Sequence, residues 1–471
     1  MYSAATIEHA LSVERAGPAG PGAVAGEAGN AACGDAVRIE LLLAGGRIEA
    51  ARHRTFGCPH ATAAAALACA LAEGRDLLQA ARIGAGDLER ALAPPDANRP
   101  CVALAADALH AALARAVDHL TLPLAAGRVV VAMSGGVDSA VALLKAAEAG
   151  FEPVGVTLRL WIDPDAPDGE RACCSPRSVR DARAACHALG VPHLGLDLRD
   201  GFRAAVVDDF VAAHAAGRTP NPCMRCNGTF RFAALAEAAD RLGAAGIATG
   251  HYARLERRAG RTLVARGVDS AKDQSYMLAS VPADILERCW FPLGGQTKAE
   301  TRAQARRAAL AAAGRAESQE VCFVGGGDHR AFVERRGGAG PVGEIVDGGG
   351  RVLGRHGGLH RFTPGQRRGL GLGGGEALYV VRTEPESGRV VVGRREALAR
   401  SSVRVAPGAV YIPAARVQAK LRYRQAPVWA TVHPGNGGFT LDLDQPVEGV
   451  APGQAAVLYD GDAVVGAGTI A

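Results

Sequence analysis

Between Val129 and Ser139 the chain reads VVVAMSGGVDS, three β-branched residues followed by a glycine pair and then an apolar-periodic run over 138–149. That order predicts a buried strand turning sharply into a helix. Glycines at such a turn let the backbone approach a ligand, and the free amides at the helix start favour phosphate oxygens. The loop lacks the Lys-Ser/Thr ending of a γ-phosphate loop, so a nucleotide or pyrophosphate is the expected ligand and ordinary γ-phosphoryl transfer is not the first expectation. The plainer alternative is a tight turn that binds nothing. Strand signals at Val154–Leu160 and helix signals at 177–189 and 204–216 continue the alternation, which predicts a doubly wound parallel sheet with crossover helices.

The flanking segments change period. Residues 17–30 are rich in Gly and Pro and read as a loop, Val37–Leu43 as a strand, and Gly45-Gly46 as the turn of a hairpin returning over Arg47–Arg54. Two Ala-rich helices follow at about 59–73 and 101–118, making an α+β front unit, and 121–128 reads as a linker. Beyond about Gly337, short strands in glycine-dense sequence (378–382, 389–392, 428–432, 455–459) predict an all-β barrel. The 471 residues, about three domains by length alone, are divided here into 1–122, 126–331, 332–385 and 386–471. Residues 1–124 carry 10 basic and 13 acidic side chains, whereas the remainder carries 43 and 35, so an acidic front precedes a basic body. The longest apolar run, Ala61–Ala72, is shorter than the ~20 residues that span a bilayer, and Met1-Tyr2-Ser3 does not open a secretory signal. A cytoplasmic protein with no membrane partner is expected.

Four of the eleven cysteines lie in the front and seven between Cys173 and Cys322. In a large chain this clustering favours metal or sulfur chemistry over a disulfide framework. Cys223 and Cys226 stand in a C-x-x-C within GRTPNPCMRCN, a spacing that lets two thiolates share a metal or exchange sulfur. A zinc knuckle would need a second such pair, which the chain lacks. Cys322, within Glu317–Val324, is the distant third thiol.

Ser134-Gly135-Gly136-Val137-Asp138-Ser139 resembles the pyrophosphate loop of the N-type ATP pyrophosphatases. Together with TPNPCMRCN, Thr249–Arg254, Lys272–Tyr276, Cys322-Phe323, Thr363–Leu370 and Arg422–Gln425, in that order, it resembles the tRNA-specific 2-thiouridylase (MnmA) family across 128–471. The resemblance implies an ATP pyrophosphatase domain at 126–331, a small central tRNA-binding domain at 332–385 and a barrel at 386–471. ATP, with Mg2+, would be held by Ala132, Met133, Ser134, Gly135, Gly136, Val137, Asp138 and Ser139, with Leu158 and Gly250. Cys226 would be the nucleophile and Cys322 the persulfide carrier, while Lys272, Asp273, Gln274, Arg422 and Tyr423 would contact tRNA. The family adenylates the C2 oxygen of wobble uridine U34, in tRNAs of the Lys, Glu and Gln type, and sulfur then displaces AMP. Gly228-Thr229 stand where the family commonly has a basic residue. The residues support the same chemistry: a carbonyl oxygen must be activated before sulfur can replace it, and a sulfur borne on one thiolate needs a second cysteine to resolve the resulting disulfide bond. Cys223, Cys226 and Cys322 could instead hold an iron-sulfur cluster with one open iron, and both routes stay open at this point.

In the front, Cys33-Gly34-Asp35, Phe56-Gly57-Cys58 and Cys101 place three thiols and a carboxylate at element ends, where they can converge on one metal; Cys69, inside its Ala-rich helix, reads as packing. With Tyr2-Ser3 and Glu8-His9 these segments resemble the NifU/IscU-type iron-sulfur scaffold over 1–122. The resemblance implies Cys33, Asp35, Cys58 and Cys101 as cluster or zinc ligands, with Pro100 where a histidine is usual. The fusion suggests that the scaffold takes sulfur from a cysteine desulfurase and hands sulfide or a cluster to the thiolation site. Two other readings remain at this stage: an iron-sulfur assembly or carrier protein with an RNA-binding C-terminal part, and another pyrophosphate-loop ligase.

Overall fold

The computed structural model describes residues 2–30, 33–165, 175–314, 321–324, 328–373 and 376–471; Cys173, Cys174 and Glu317–Glu320 lie outside them. At its centre is a five-stranded, wholly parallel sheet in the spatial order Cys289–Trp290, Ala244–Ala248, Ala125–Ala132, Glu152–Arg159, His193–Asp197. Helices Val137–Glu148 and Pro176–Ala188 make the crossovers on one side of the chain order. The order reverses beside Ala125–Ala132, the place in an open α/β sheet where a crevice opens beyond the strand ends. This first strand begins at Ala125, inside the expected linker, because the Ala125 amide donates to the Gly243 carbonyl at 2.9 Å and so extends the ladder.

The front is a three-stranded antiparallel sheet, Val24–Asn30, Asp35–Ala44 and Arg47–Phe56, backed by helices Pro59–Ala72 and Arg99–Ala116. Val24–Asn30 corrects the loop expected over 17–30. Gly26 there serves close approach to a helix and not a turn: a Cβ on it would fall on the backbone of Ala108 and Ala112. Gly26→Ala is therefore expected to destabilise the front domain by about 3 kcal/mol or more, since backbone has to move and overpacking of side chains alone costs about 1–3 kcal/mol; hydrogen exchange of the 99–116 amides would register it. Helix Arg99–Ala116 with its flanking turns is long and apolar enough to cross a membrane by composition, but it is the buried central helix of this domain.

That helix also docks the front onto the central sheet. Asp107 accepts from Arg180 Nε at 3.1 Å and Arg183 Nη1 at 2.7 Å. Three histidines gather beside them: the His110 and His187 rings lie 5.5 Å apart, and His193 bonds Thr157 at 2.8 Å through Nε2. Burial, reinforced by the Arg183 charge, depresses all three below the usual 6.5. They are neutral when folded, so stability is complete above about pH 6.5 and falls as pH drops below it, where the unfolded chain binds protons that the native one refuses. Each histidine adds a slope of up to about 1.4 kcal/mol per pH unit until its folded pKa is reached. Thermal unfolding at pH 7.5 and 5.5 checks this, with a lower midpoint expected at 5.5.

The C-terminal β region divides into two sheets. Gly343–Val346, Val352–His356, Tyr379–Glu384 and Arg389–Gly393 form a four-stranded sheet around Ile345, Leu359, Val380 and Val390. This sheet runs past the division expected between 385 and 386, because Tyr379–Glu384 and Arg389–Gly393 are the two arms of one hairpin. Six strands between Ala399 and Ile470 then close on themselves, the last pairing with the first. The hairpin Ala253–Arg258 and Arg261–Arg266, from the middle of the chain, is annexed to that barrel: Ala265 pairs with Ala463, and the Arg266 amide donates to Asp462 at 3.0 Å.

Candidate functional site

The segment 132–139 leaves the reversal strand and enters helix Val137–Glu148 as the glycine pair requires. Gly135 sits at φ +73°, a left-handed conformation that glycine adopts without strain, and Gly136 is the N-cap. Ser139 Oγ accepts from the Ser134 amide at 3.2 Å and donates to the Gly136 carbonyl at 2.9 Å, so the loop is pinned from within. Gly250 lies against the helix start, where a Cβ would stand 2.8 Å from the Asp138 carbonyl carbon and 2.9 Å from the Ser139 amide. Leu158, buried, is near the end of the adjacent strand Glu152–Arg159. His251 packs against Phe232 and Phe291 and bonds Thr249 Oγ1 at 2.7 Å, and burial pushes it down to about 3, which keeps it neutral.

Several residues at this loop come from distant segments, and Lys298, Thr301 and Gln296 belong to none of the motifs above. Lys298 Nζ reaches both Asp138 oxygens, at 2.6 and 2.7 Å, from the first turn of helix Lys298–Arg307. Tyr252 donates its hydroxyl to Asp138 at 2.9 Å and also meets Thr301 Oγ1, to which the Gln296 amide donates at 2.6 Å. The signal that could have found Lys298 is its capping box, Thr297 with Glu300, which fixes the helix start.

The sulfur residues sit on tightly held turns. Thr219 at the head of the C-x-x-C segment is gripped from the C-terminal sheets: its amide donates to the Pro452 carbonyl at 2.8 Å and its carbonyl accepts from Gln454 at 2.9 Å. Asn221 caps the short helix Pro222–Arg225 that carries Cys223. Cys226 is buried at the start of a π-helical stretch, Cys226–Arg231, a widened winding frequent at functional sites. Gly228 there packs on Ser280 with no room for a side chain, which explains the missing basic residue. Cys322 is half-buried against the apolar cluster that includes Cys226. Its neighbour Phe323 lies among Phe202, Phe210 and Phe332, and the Phe323 carbonyl accepts from the Asp163 amide at 3.0 Å. Asp163 is itself clamped by Arg335 at 2.6 Å and Arg336 at 3.1 Å. Among the described residues, the thiols of Cys223, Cys226 and Cys322 do not form a set of ligand atoms converging within 4.8 Å.

Of the expected RNA contacts, Asp273 turns inward: its carboxylate accepts from the Gly267 and Ser275 amides, both at 3.1 Å, and from Ser275 Oγ at 2.9 Å. Gln274 Oε1 accepts from the Tyr252 amide at 2.9 Å, tying this turn to the phosphate loop. Lys272 stands beside them, half-buried. Arg422 donates to the Pro364 carbonyl at 2.8 Å, and the exposed Tyr423 ring lies 5.9 Å from Tyr276. Lys420 lies 5.6 Å from both rings, a cation between the buried Tyr276 and the exposed Tyr423 that local motifs did not reveal.

In the front domain Asp35, Cys58 and Cys101 bring one ligand atom each within 4.8 Å of one another. Asp35 Oδ2 is buried without a hydrogen-bond partner, and burial beside Cys58 and Asp35 pushes the Cys101 thiol up to about 12. A buried orphan carboxylate oxygen between two thiols is the donor set of a metal site. Cys33, exposed on the turn between Val24–Asn30 and Asp35–Ala44, stands outside the trio.

Family models match in the same order along the chain: NifU-like N terminal domain over 1–118, tRNA methyl transferase HUP domain over 127–326, tRNA methyl transferase PRC-barrel domain over 330–394 and aminomethyltransferase beta-barrel domain over 410–470. A bifunctional protein NifU/MnmA of Rubrobacter xylanophilus is 45% identical over 487 aligned positions, covering 100% of this chain and 98% of the relative. A tRNA-specific 2-thiouridylase MnmA of Moorella thermoacetica is 47% identical over 352 positions, 72% of this chain and 98% of its own. Among solved structures, an iron-sulfur cluster assembly scaffold for the SUF system of Fervidobacterium islandicum covers 24% of this chain and 96% of its own, at 21% identity and a TM-score of 0.22.

Proposed function

Because this chain belongs to the family of bifunctional NifU/MnmA proteins, we propose that it is an ATP-dependent tRNA 2-thiouridylase with its own iron-sulfur scaffold. The observation that carries this reading is the presence in one chain of a pinned pyrophosphate loop, a C-x-x-C held on a fixed turn with a distant third thiol, and a separate carboxylate–dithiol trio. ATP would lie on 132–139, with its adenine side towards Leu158 and Gly250. Mg2+ accompanying ATP would find its carboxylate in Asp138, where it would offset phosphate charge.

The reaction then runs through thiols. The U34 O2 attacks the α-phosphorus and pyrophosphate leaves, while the N3 proton goes to water. A persulfide on Cys322 attacks C2 and AMP departs, leaving a Cys322–S–S–C2 bridge. The Cys226 thiolate attacks the Cys322 sulfur, which frees 2-thiouridine and leaves a Cys226–Cys322 disulfide for an external thiol to reduce. Lys272, Gln274, Arg422 and Tyr423 are proposed to hold the anticodon arm of tRNAs of the Lys, Glu and Gln type, in the cytoplasm, with a cysteine desulfurase as donor. Asp273 supports that surface from behind.

The front trio fits a metal or cluster, and Asp35, Cys58 and Cys101 would hold it, with Cys33 as the candidate for a third thiol and fourth ligand. Such a group would supply labile iron or sulfide. Cys58→Ala is expected to weaken metal binding about 100-fold or more by removing one of few ligands, as read by zinc titration of the full chain. The thiolation reading is tested by nucleoside mass spectrometry of tRNA incubated with the protein, ATP, desulfurase and cysteine. Formation of 2-thiouridine supports it, and AMP release with another nucleoside product overturns it. Starting the chain at Ala126 tests the role of the front: an equal thiolation rate would show that the scaffold supplies nothing.

A further inference from the structure

Asp163 is a buried charge outside the nucleotide loop and the thiols. It follows Arg159, the end of the strand that carries Leu158, and its side chain is 0% exposed. Each carboxylate oxygen takes one guanidinium, Arg335 at 2.6 Å and Arg336 at 3.1 Å. Arg336 is in turn stacked on Trp161, its guanidinium carbon 4.4 Å from the ring centre. Burial alone would push this carboxyl up, but the two arginines outweigh it and hold the group below the usual range, so it is charged. A buried ion pair adds little net stability, because desolvation offsets most of the attraction. What this pair supplies is one fixed arrangement of the segments that carry it.

Those segments begin at the persulfide cysteine. The Asp163 amide donates to the carbonyl of Phe323, the residue after Cys322, at 3.0 Å, while its carboxylate holds Arg335 and Arg336 at the end of helix His329–Arg335. One residue thus ties two points on the Cys322 side of the crevice to the strand beside the nucleotide loop. Aromatic rings continue the frame to the second thiol. Phe323 lies 5.9 Å from the fully buried Phe202, and Phe202 lies 5.6 Å from Phe230, inside the Cys226–Arg231 stretch. Close-packed rings transmit a displacement, so where Cys322 stands relative to Cys226 depends on the clamp at Asp163.

We propose that Asp163 is a positioning residue of sulfur transfer: clamped by Arg335 and Arg336, it sets Cys322 against both the adenylated uridine and Cys226. This deepens the thiouridylase reading and rests on it for the identity of the acceptor. As the outer sulfur of the Cys322 persulfide, its proton already lost to water, bonds to C2, the C2–O bond to AMP breaks and its electron pair leaves with AMP. Asp163 gives and takes neither proton nor electron in that exchange; it fixes where the sulfur stands.

The test compares Asp163→Asn, and separately Arg335→Gln together with Arg336→Gln, with wild type in the full chain. Either change is expected to lower the single-turnover rate of 2-thiouridine formation about 100-fold, the scale of a misplacement by about 1 Å. Pyrophosphate release, which reports adenylation, and persulfide loading of Cys322 by desulfurase and cysteine should stay within about twofold of wild type, since neither step needs the sulfur aimed at C2. A further readout needs no tRNA: the rate at which diamide, a thiol oxidant, forms the Cys226–Cys322 disulfide should fall about tenfold as the two thiols lose their mutual placement. A loss of pyrophosphate release as large as the loss of thiolation would mean that Asp163 only stabilises the fold. An unchanged thiolation or disulfide rate would mean that the clamp does not place Cys322; either result overturns the proposal. Should Asp163→Asn be poorly folded, the arginine pair decides by the same comparison. A wild-type chain that forms the disulfide but no 2-thiouridine would end the thiolation reading, and the disulfide rates would still decide whether Asp163 places Cys322.

Discussion

With Cys226 changed to serine, 2-thiouridine formation is expected to fall by about three orders of magnitude or more, in line with removal of a nucleophile, while AMP release in a single turnover persists. Serine nearly matches cysteine in size, so the buried start of the Cys226–Arg231 stretch keeps its packing. What is lost is a thiolate able to attack the Cys322 sulfur, and a neutral hydroxyl does not replace it. Cys322→Ser should abolish product equally but block one step earlier, before any sulfur is bonded to the tRNA. Mass spectrometry of protein-bound tRNA separates the two, since only Cys226→Ser should trap a covalent bridge. Cys223→Ala supplies the contrast: in a two-thiol reaction it should keep activity within about tenfold, because a neighbouring residue is lost and not a participant. Loss of activity in Cys223→Ala as severe as in the other two would count against the two-thiol mechanism.

Gly250→Ala should cost about 100-fold in kcat/KM for ATP, the scale expected when a site is displaced by about 1 Å. The new methyl would meet the Asp138 carbonyl carbon at 2.8 Å and the Ser139 amide at 2.9 Å, and these are backbone atoms that cannot rotate away. The Thr249–His251 turn or the loop itself has to retreat. Either movement disturbs Ser139, which pins Ser134 and Gly136, so the amides aimed at phosphate lose their common focus. Nucleotide titration and steady-state kinetics check this; an alanine variant with wild-type ATP affinity would show that this approach is not part of the site.

The sequence made the phosphate loop legible because its signals are local: β-branched residues, two glycines and a helix start all fall within eleven positions. The family match along the whole chain agrees with that reading and with the order of the scaffold and thiolation parts. Lys298 was invisible for the opposite reason, since it is 160 positions from Asp138 and only the sheet topology joins them. Strand Val24–Asn30 was read as loop because glycine weakens local strand propensity, and its true cause, close contact with a helix some eighty residues later, is tertiary. Asp273 was expected to contact tRNA because the family resemblance implies it. Its carboxylate is instead filled by two amides and a hydroxyl, a use that only the fold of the 266–275 turn reveals.

The annexed hairpin at 253–266 has a further meaning for how the protein is made. Its partner strand, Ala463–Ile470, is the last element of the chain, and the buried Ser275 and Tyr276 behind the 272–274 turn bond Tyr459 and the Ala455 carbonyl. During synthesis the middle of the protein emerges long before the strands that complete it. The front domain, contiguous in sequence, can finish early and could be appended to an ancestor by simple joining; the barrel cannot be exchanged without tearing an edge from the catalytic body. A product cut short before residue 455 leaves the 272–276 segment without the Tyr459 hydroxyl and the Ala455 carbonyl that Ser275 and Tyr276 bond.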